Sequence, residues 1–170
     1  MEFSLVPWRE EFASSLAESA DDARIARWLR DVFPHPYTQR DAADFIAFAR
    51  ERNAKGDFYR AVLVCGKAAG SVTVCRGEDV GRRGGELGYW LSPQFWGKGI
   101  MSRAVRQIVG EVFSGSDLVR IFAESFADNA ASRRVLEKCG FVLEGVLRQS
   151  VYKAGVFHDA AVYSLLKKEM

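Results

Sequence analysis

The sequence predicts an α/β fold in which a mixed β-sheet is flanked by helices. Three observations predict it. Apolar residues recur at helical spacing up to about Asn53, and they alternate as in strands from Phe58 onwards. After Glu86 the chain then reads as strand, helix, strand, helix and two further strands, an order typical of a layered sheet.

The first third of the chain is predicted to be a short strand followed by helices. Residues 3–6 form the strand, and residues 10–20 and 22–31 form helices, the second of them capped by Asp21. Two prolines place residues 33–37 in a loop, because proline disfavours helix at itself and at the residue before it.

The remaining elements are predicted from caps and turn residues. Thr38 caps a helix that runs to about Asn53. The glycine-containing segment 66–70 joins two strands as a hairpin. About seven strands result, at residues 3–6, 59–64, 71–75, 86–91, 118–126, 141–147 and 156–166, with a helix from Asp128 or Asn129 to Gly140 before the last two.

Composition indicates an ordinary globular domain, and we expect residues 1–170 to form one domain. Hydrophobic residues are 48% and charged residues 27%, which is typical of globular proteins rather than disordered ones. The net charge of +2 is too small to indicate nucleic-acid binding, and no apolar run approaches the roughly 18 residues of a membrane span. Residues 1–9 carry no signal-peptide pattern, so a cytoplasmic protein is expected.

The cysteines and histidines do not indicate a metal site. Cys65, Cys75 and Cys139 lack the spacing of metal ligands, and His35 and His158 are too far apart for a zinc site. We therefore expect free thiols and no metal. Cys65 and Cys75 lie in apolar runs, where they are expected to be small buried residues.

The stretch that begins at Glu86 reads as strand, glycine turn and helix. Residues 86–91 alternate and carry aromatic side chains, as a half-buried strand does. Residues 94–99 form a turn with two glycines one residue apart. From Ile100 apolar residues recur at helical spacing, so the turn leads directly into a helix N-terminus.

This arrangement is suited to binding phosphate. The first turn of a helix carries unpaired N–H groups and about half a positive charge. Gly97 and Gly99 let the backbone approach a ligand, and Lys98 adds a full positive charge. The alternative is a glycine-rich connector without a ligand, which the aromatic strand before the turn and the amphipathic helix after it disfavour.

Two other phosphate-binding loops do not fit the residues. A P-loop needs Ser or Thr after its lysine, whereas Lys98 is followed by Gly99. A dinucleotide-binding fingerprint needs a third glycine at the position of Ser102.

Three segments resemble, in family order, motifs of the GNAT superfamily of N-acetyltransferases. Residues 94–99 are similar to its (Gln/Arg)-x-x-Gly-x-(Gly/Ala) acetyl-CoA signature, and residues 129–132 and 135–141 resemble its second motif. Residues 33–38 resemble the branch that acetylates the N-termini of ribosomal proteins, the RimJ/RimL type. The resemblance spans most of the chain and implies a GNAT-like twisted central sheet.

The resemblance also implies acetyl-CoA as cosubstrate. Backbone N–H groups of the turn would hold the CoA pyrophosphate, and the pantetheine arm would lie against the end of the preceding strand. Asn129 matches a pantetheine-binding asparagine, a role compatible with capping a helix. The expected cofactor-binding residues are Leu91, Gln94, Phe95, Trp96, Gly97, Lys98, Gly99, Ile100 and Asn129.

Glu86 and Ser132 are the expected catalytic residues. Glu86 resembles the family's glutamate that deprotonates the acceptor amine; the alternative is a glutamate that only faces solvent. Ser132 resembles a serine that lies near the CoA sulfur; the alternative is a serine on the surface of the helix. Leu136 stands where many relatives carry a tyrosine acid, and Val151 near the point where some carry a glutamate. Further candidates for the substrate cleft are Tyr37, His35, Tyr152 and His158.

We expect an N-acetyltransferase that moves the acetyl group of acetyl-CoA to a primary amine by direct attack in a ternary complex. The acceptor would be a protein N-terminus, including that of a ribosomal protein, or a small-molecule amine. No contact with nucleic acid or membrane is expected, and the protein would be a monomer or a homodimer. The alternatives are a non-catalytic acyl-CoA-binding module and a generic phosphate- or nucleotide-binding domain.

Overall fold

A computed structural model describes residues 1–170, in which seven strands form one mixed sheet. Their order across the sheet is β1-β2-β3-β4-β5-β7-β6, and all neighbours are antiparallel except β4 and β5. The predicted α/β class with about seven strands is confirmed. The strands are β1 (Ser4–Pro7), β2 (Phe58–Val64), β3 (Lys67–Arg76), β4 (Gly84–Leu91), β5 (Arg120–Phe126), β6 (Val142–Lys153) and β7 (Val156–Leu166).

Five α-helices cover the two faces of the sheet. One hydrophobic core joins α4 to the strands, and a second joins the helices α1 and α3 to the opposite face near β2 and β3. None of the helices is long and apolar enough to cross a membrane. The helices are α1 (Ala13–Ala20), α2 (Ala23–Ala26), α3 (Gln39–Ala54), α4 (Ile100–Gly115) and α5 (Ala130–Lys138).

Thr38 caps α3 as the sequence predicts. Its side-chain oxygen accepts a hydrogen bond from the backbone N–H of Asp41 at 3.2 Å, and the Asp41 carboxylate accepts one from the Thr38 N–H at 2.8 Å. This reciprocal capping box satisfies two donors that the first helical turn leaves unpaired. Ala42, Ile46 and Ala49 then lie on the buried face of the helix.

The prediction of a helix over residues 22–31 is wrong in extent. α2 ends at Ala26, and residues 27–33 continue as turns in which the Trp28 N–H bonds the Ile25 carbonyl at 3.0 Å. The Trp28 ring packs edge-on against Phe126 of β5, with ring centroids 5.5 Å apart. Residues 27–33 therefore form turns, with Trp28 packed against the sheet, where the sequence predicts a continuous helix.

Asp22, not Asp21, caps α2. The Asp22 carboxylate accepts a hydrogen bond from the Arg24 backbone N–H at 2.8 Å. Asp21 accepts instead from the backbone N–H of Tyr37 at 2.9 Å. The Asp21 side chain thus connects the proline loop, residues 33–37, to the end of α1. Helix-capping rules consider only local contacts and do not predict this one.

The hairpin between β2 and β3 is tighter than predicted. Its turn consists of Cys65 and Gly66 alone, with φ of +50° and +75°, and β3 begins at once with Lys67. Positive φ at both residues is the geometry that matches the twist of paired strands. Cys65 is therefore exposed in the turn, and the expectation that it is buried is wrong.

β4 and β5 diverge, which creates the main opening of the molecule. They pair in parallel only between Gly84–Glu86 and Arg120–Phe122. Beyond Glu86 the two strands have no ladder between them, although β4 continues to Leu91 and β5 to Phe126. The resulting gap lies directly before the turn that enters α4.

Truncation of Ile108 on the buried face of α4 tests how far the sheet depends on this helix. Ile108 is fully buried, so Ile108→Ala leaves a cavity and should lower the free energy of unfolding by about 2–5 kcal/mol. Gln107→Ala, on the exposed side of the same helix, should change it by less than about 0.5 kcal/mol. Urea unfolding followed by circular dichroism measures both, and equal effects would contradict the packing described.

Candidate active site

A cleft of about 1040 Å³ occupies the gap between β4 and β5. It extends from the glycine turn and the start of α4 to the residues that follow α2. Its size reaches the upper end of the range typical of small-molecule sites. Hydrophobic residues make up 24 of the 42 that line it, with a few polar groups among them.

The start of α4 presents unpaired backbone donors to this cleft. The Phe95 and Trp96 N–H groups are used within the turn, by the carbonyls of Ser92 at 3.0 Å and Pro93 at 3.1 Å. The N–H of Arg103 bonds the Gly99 carbonyl at 3.3 Å. The backbone N–H groups of residues 97–102, which lie between Trp96 and Arg103, donate no hydrogen bond to any protein group. These donors and the positive end of the helix dipole can bind an anion.

The two glycines of the turn have the conformation that makes this possible. Gly97 and Gly99 have φ of +73° and +70°, in the left-handed region that favours glycine. A Cβ atom at either position would meet nothing within 4 Å, so the space in front of the backbone is open. A ligand can therefore reach the main chain there.

The side chains of the turn mostly stabilise the turn itself. Trp96 Nε1 donates to the Leu91 carbonyl at 2.6 Å, and Lys98 Nζ donates to the Gln94 carbonyl at 2.9 Å. Gln94 and Lys98 do not line the cleft. The other predicted cofactor-binding residues do: Leu91, Phe95, Trp96, Gly97, Gly99, Ile100 and Asn129.

Asn129 and Ser132 lie at the N-terminus of α5. Asn129 caps the helix, since its Oδ1 accepts from the Ser132 N–H at 3.1 Å. The Ser132 hydroxyl lies 2.8 Å from the phenol oxygen of Tyr89, and this phenol donates to the Ser132 carbonyl at 3.0 Å. The pair places two hydroxyl groups between β4 and α5, on the cleft wall.

Tyr89 was not among the candidates that the sequence supplied. Burial raises the pKa of its phenol above the ordinary value, against the opposing effect of the hydrogen bond to Ser132. The phenol therefore keeps its proton and serves as a hydrogen-bond donor. The alternation of side chains along a strand could have placed Tyr89 on the face of β4 opposite Glu86. Only the packing of α5 shows that Tyr89 contacts this helix.

Glu86 lies on the other face of β4, where Arg30 forms an ion pair with its carboxylate. The Glu86 side chain is 34% exposed and the Arg30 side chain 75% exposed. Arg30 belongs to the segment after α2, which the predicted helix did not place near the sheet. The expected base is thus in the cleft, in contact with a residue that the sequence did not indicate.

Glu124 is a second carboxylate on the same face. Glu86 is level with Phe122 in the parallel ladder, so the side chain two residues further along β5 points the same way. Glu124 is exposed, lines the cleft and has no hydrogen-bond or ion-pair partner in the protein. Sequence reasoning missed it because the side-by-side register of β4 and β5 is not visible in a single chain.

Residues 27–33 form the outer wall of the cleft on the side that carries Glu86 and Glu124. Lys153 Nζ, at the end of β6, donates to the Leu29 carbonyl and the Asp31 carboxylate, each at 2.8 Å. The Phe33 ring packs edge-on against Trp90, with centroids 5.7 Å apart. The wall is thereby attached both to β4 and to the β6–β7 hairpin.

The remaining candidates are spread over the molecule. Val151 and Tyr152 line the cleft, but Tyr37, His35 and His158 do not. His35 Nδ1 lies 3.2 Å from the Asp21 carboxylate, and His158 Nδ1 lies 3.7 Å from that of Asp128. Leu136 is fully buried in the core.

The thiols and acidic groups form neither a metal site nor an activated nucleophile. No group of three or more His, Cys, Asp or Glu side chains is placed to hold a metal ion. Burial raises the pKa of the Cys139 thiol, which donates to the Ser102 carbonyl at 3.2 Å. Burial likewise raises the pKa of the Cys75 thiol, which lies 3.1 Å from the Tyr59 phenol oxygen. A thiol held in its protonated form is a poor nucleophile.

Comparisons with known proteins identify relatives of this chain among N-acetyltransferases. The chain is 45% identical over 85 residues to the uncharacterized N-acetyltransferase YoaA of Bacillus subtilis, covering 50% of this chain and 48% of the relative. It is 32% identical over 79 residues to the ribosomal-protein-serine acetyltransferase of Escherichia coli, covering 46% and 44%. The matched part thus spans about half the length of these relatives.

A solved structure of RimL, a ribosomal L7/L12 α-N-protein acetyltransferase in complex with coenzyme A, has the same fold. Its TM-score is 0.88 at 23% sequence identity, over 96% of this chain and 93% of that one. A family model described as an acetyltransferase (GNAT) domain matches residues 3–142. Since that match covers well over half of the sequence, the chain belongs to the GNAT family of acetyltransferases.

Proposed function

We propose that the protein transfers the acetyl group of acetyl-CoA to a primary amine, with residues 1–170 acting as one catalytic domain. The observation that carries the proposal is the row of unpaired N–H groups at residues 97–102, which faces an open cleft between two diverging strands. Such a row suits the pyrophosphate of coenzyme A. Membership of the GNAT family supports acetyl-CoA as the donor.

The cleft offers further groups for the nucleotide end of the donor. Arg134 and Lys138 lie four residues apart on α5, line the cleft and are exposed, and neither forms an ion pair. Their charges would bind phosphate groups that extend from the start of α4. Leu91 and Asn129 would flank the pantetheine arm as it runs between β4 and α5.

The amine would bind on the face of β4 that carries Glu86. A carboxylate there can accept the proton that the amine loses, directly or through water. Arg30 now pairs with Glu86 and would have to move aside, whereas Glu124 is free. An α-amino group has a pKa near 8 and a lysine side chain a pKa near 10.4, so the α-amino group loses its proton near neutral pH with less assistance from a base. The acceptor is therefore proposed to be a protein N-terminus or a small amine of similar basicity.

Bond formation would be direct, without an acyl-enzyme. The neutral amine nitrogen attacks the thioester carbonyl, the C–S bond breaks and the sulfur leaves as the thiolate. The Ser132 hydroxyl would donate a hydrogen bond to this thiolate, and the Tyr89 phenol, which gives its one proton to Ser132, would hold that hydroxyl in position. The protonated state of the Cys139 thiol agrees with the absence of a covalent intermediate.

A second candidate function is a non-catalytic acyl-CoA-binding module. It is favoured by the buried Leu136, where a tyrosine acid would stand, and by the Arg30–Glu86 ion pair, which occupies the proposed base. This candidate predicts that CoA stabilises the protein thermally while no amine is acetylated. Steady release of free thiol with any amine would exclude it.

Isothermal titration calorimetry tests the anion site. Coenzyme A should bind, whereas pantetheine, which lacks the pyrophosphate, should bind at least about tenfold more weakly, because charge-assisted hydrogen bonds to residues 97–102 are lost. Adenosine triphosphate and NAD serve as competitors. Preferential binding of either nucleotide over coenzyme A would contradict the proposal and favour a generic nucleotide site.

Replacing Glu86 with Gln tests the base. We expect kcat/KM for an N-terminal peptide acceptor to fall by about 10²–10⁴, because the proton acceptor is removed. Affinity for coenzyme A should be unchanged, since Glu86 lies on the opposite face of β4 from Ser132. Glu124→Gln is the matched control; if that variant alone loses activity, Glu124 rather than Glu86 is the base.

Ser132→Ala and Tyr89→Phe test stabilisation of the leaving thiolate. Ser132→Ala should lower kcat by about 10- to 100-fold with little change in KM for the amine, since the lost hydrogen bond to a charged group is worth about 1.5–3 kcal/mol. Tyr89→Phe should lower kcat by a smaller factor, because Tyr89 positions Ser132 and does not itself contact the thiolate. Ser114→Ala, whose hydroxyl bonds only carbonyls within α4, is the control and should retain full activity. A Ser132→Ala variant with wild-type kcat would remove Ser132 from this role.

A further inference from the structure

Five cationic side chains line the cleft, and they fall into two groups. Arg134 and Lys138 stand on α5, on the side proposed for the nucleotide end of the donor. Arg24, Arg30 and Lys153 come from α2, the turns after it and the end of β6. Of these three, only a side chain with free donors can bind an anionic group of the acceptor.

Arg24 and Lys153 are already bound within the protein. Arg24 holds the Asp22 carboxylate with Nε and Nη2, at 3.0 Å from Oδ1 and 2.6 Å from Oδ2. Lys153 Nζ donates to the Leu29 carbonyl and the Asp31 carboxylate, and its side chain is only 16% exposed. Both cations therefore stabilise the segment around α2 and offer little to a ligand.

Arg30 has most of its donors free. Its Nη2 donates to the Glu86 carboxylate, and no other protein group accepts from the guanidinium, which carries five N–H donors. A guanidinium can hold a carboxylate with two parallel hydrogen bonds. Arg120 does this with Glu144, at 2.7 Å and 2.5 Å. The Arg30 pair is one-pronged, and its remaining donors are exposed.

The wall of residues 27–33 does not need the Arg30 pair to stay in place. The hydrogen bonds of Lys153 and the packing of Phe33 on Trp90 attach the wall to β6 and β4. An exposed ion pair also contributes little to stability, since water solvates both charges. Arg30 can thus exchange one carboxylate for another without detaching the wall.

Glu86 stands where an amine enters the gap between the strands. The ladder between β4 and β5 ends at Glu86 and Phe122, and the gap opens directly beyond. Arg30 reaches the same carboxylate from the outer wall. An amine without a negative group must therefore displace the guanidinium from Glu86 and leave it without a counter-charge. An amine that carries a carboxylate can supply Arg30 with a new one.

We propose that Arg30 selects acceptors that carry a carboxylate close to the amine. The acceptor's carboxylate binds the guanidinium, the Arg30–Glu86 pair opens, and Glu86 takes the proton of the acceptor's ammonium group. The neutral amine then attacks the thioester as described above. Free α-amino acids and peptides whose first residues include Asp or Glu share this chemistry. The inference rests on the proposed acetyl transfer and names the acceptor class for it.

Glu124 makes the charge of Arg30 decisive. Glu124 lines the cleft on the same face as Glu86 and has no counter-charge in the protein. With Arg30 neutralised, two carboxylates and no free guanidinium would face the acceptor, and a carboxylate on the acceptor would be repelled. The sign of the preference between acidic and neutral acceptors therefore depends on this one side chain.

Acetylation of two matched pairs of acceptors measures the preference. One pair is an amidated tetrapeptide with Asp or Asn at its second position; the other is alanine and alaninamide, compared at equal concentrations of the neutral amine. In at least one pair the acceptor with the carboxylate should have a kcat/KM about tenfold higher or more, because a charge-assisted hydrogen-bonded pair is gained. The pair that shows the preference identifies the source of the carboxylate.

Arg30→Gln should lower this ratio to about 1 or below. Arg27→Gln is the matched control, since Arg27 belongs to the same wall and is exposed but stacks on Trp28 at 4.4 Å and does not line the cleft. That variant should keep the wild-type ratio. Ratios near 1 in both pairs for the wild type, or a ratio that Arg30→Gln leaves unchanged, would overturn the proposal.

Charge reversal gives a result that loss of folding cannot imitate. Arg30→Glu should make the uncharged acceptor of the pair the better one, because the acceptor's carboxylate would then meet a third carboxylate beside Glu86 and Glu124. A protein that had merely lost its fold would lose both activities. An active Arg30→Glu protein that still prefers the acidic acceptor would refute the role of Arg30.

Binding separates failure of this inference from failure of the proposed function. If no acceptor is acetylated, the proposed acetyl transfer fails, and the selectivity is measured from calorimetric dissociation constants of the same four acceptors in the presence of coenzyme A. The acidic acceptor should bind about tenfold more tightly or better, and Arg30→Gln should remove the difference. Equal affinities would overturn the selection of acidic acceptors, whereas turnover without a charge preference would overturn it and leave the acetyl transfer standing.

Discussion

The structure depends on one constraint: β4 and β5 run parallel but pair only at Gly84–Glu86 and Arg120–Phe122. Where the ladder stops, the strands separate and no backbone of the sheet fills the space between them. The chain leaving β4 turns through Gly97 and Gly99 into α4, whose first N–H groups therefore face the gap and not another element. The row of unpaired N–H groups, the cleft and the access to both faces of β4 all follow from this separation.

Because side chains alternate along a strand, β4 divides the cleft into two chemical environments. One face carries Tyr89, which meets Ser132 at the start of α5 and provides neutral hydrogen-bond donors. The other face carries Glu86, with Glu124 beside it on β5 and Arg30 above it. Hydroxyl groups and carboxylates are thereby kept on opposite sides of a single strand.

The two halves of the sheet also differ in how their edges are treated. The β1 edge is short and closed by Pro7, and the helices α1 and α3 cover the neighbouring strands. The β6 edge is twelve residues long, and its end is attached to the wall of the cleft through Lys153.

The sequence by itself determined the class of fold, the strand-turn-helix that begins at Glu86 and the cap at Thr38, because these depend on local spacing and on the φ that glycine permits. It also led to the family, through motifs that are contiguous in the chain. Tertiary structure alone decided that residues 27–33 form turns against the sheet, that Arg30 contacts Glu86, and that Tyr89 and Glu124 reach the cleft. Each of these requires knowing which residues lie side by side in separate elements, and this depends on strand register and helix docking, which local periodicity does not encode.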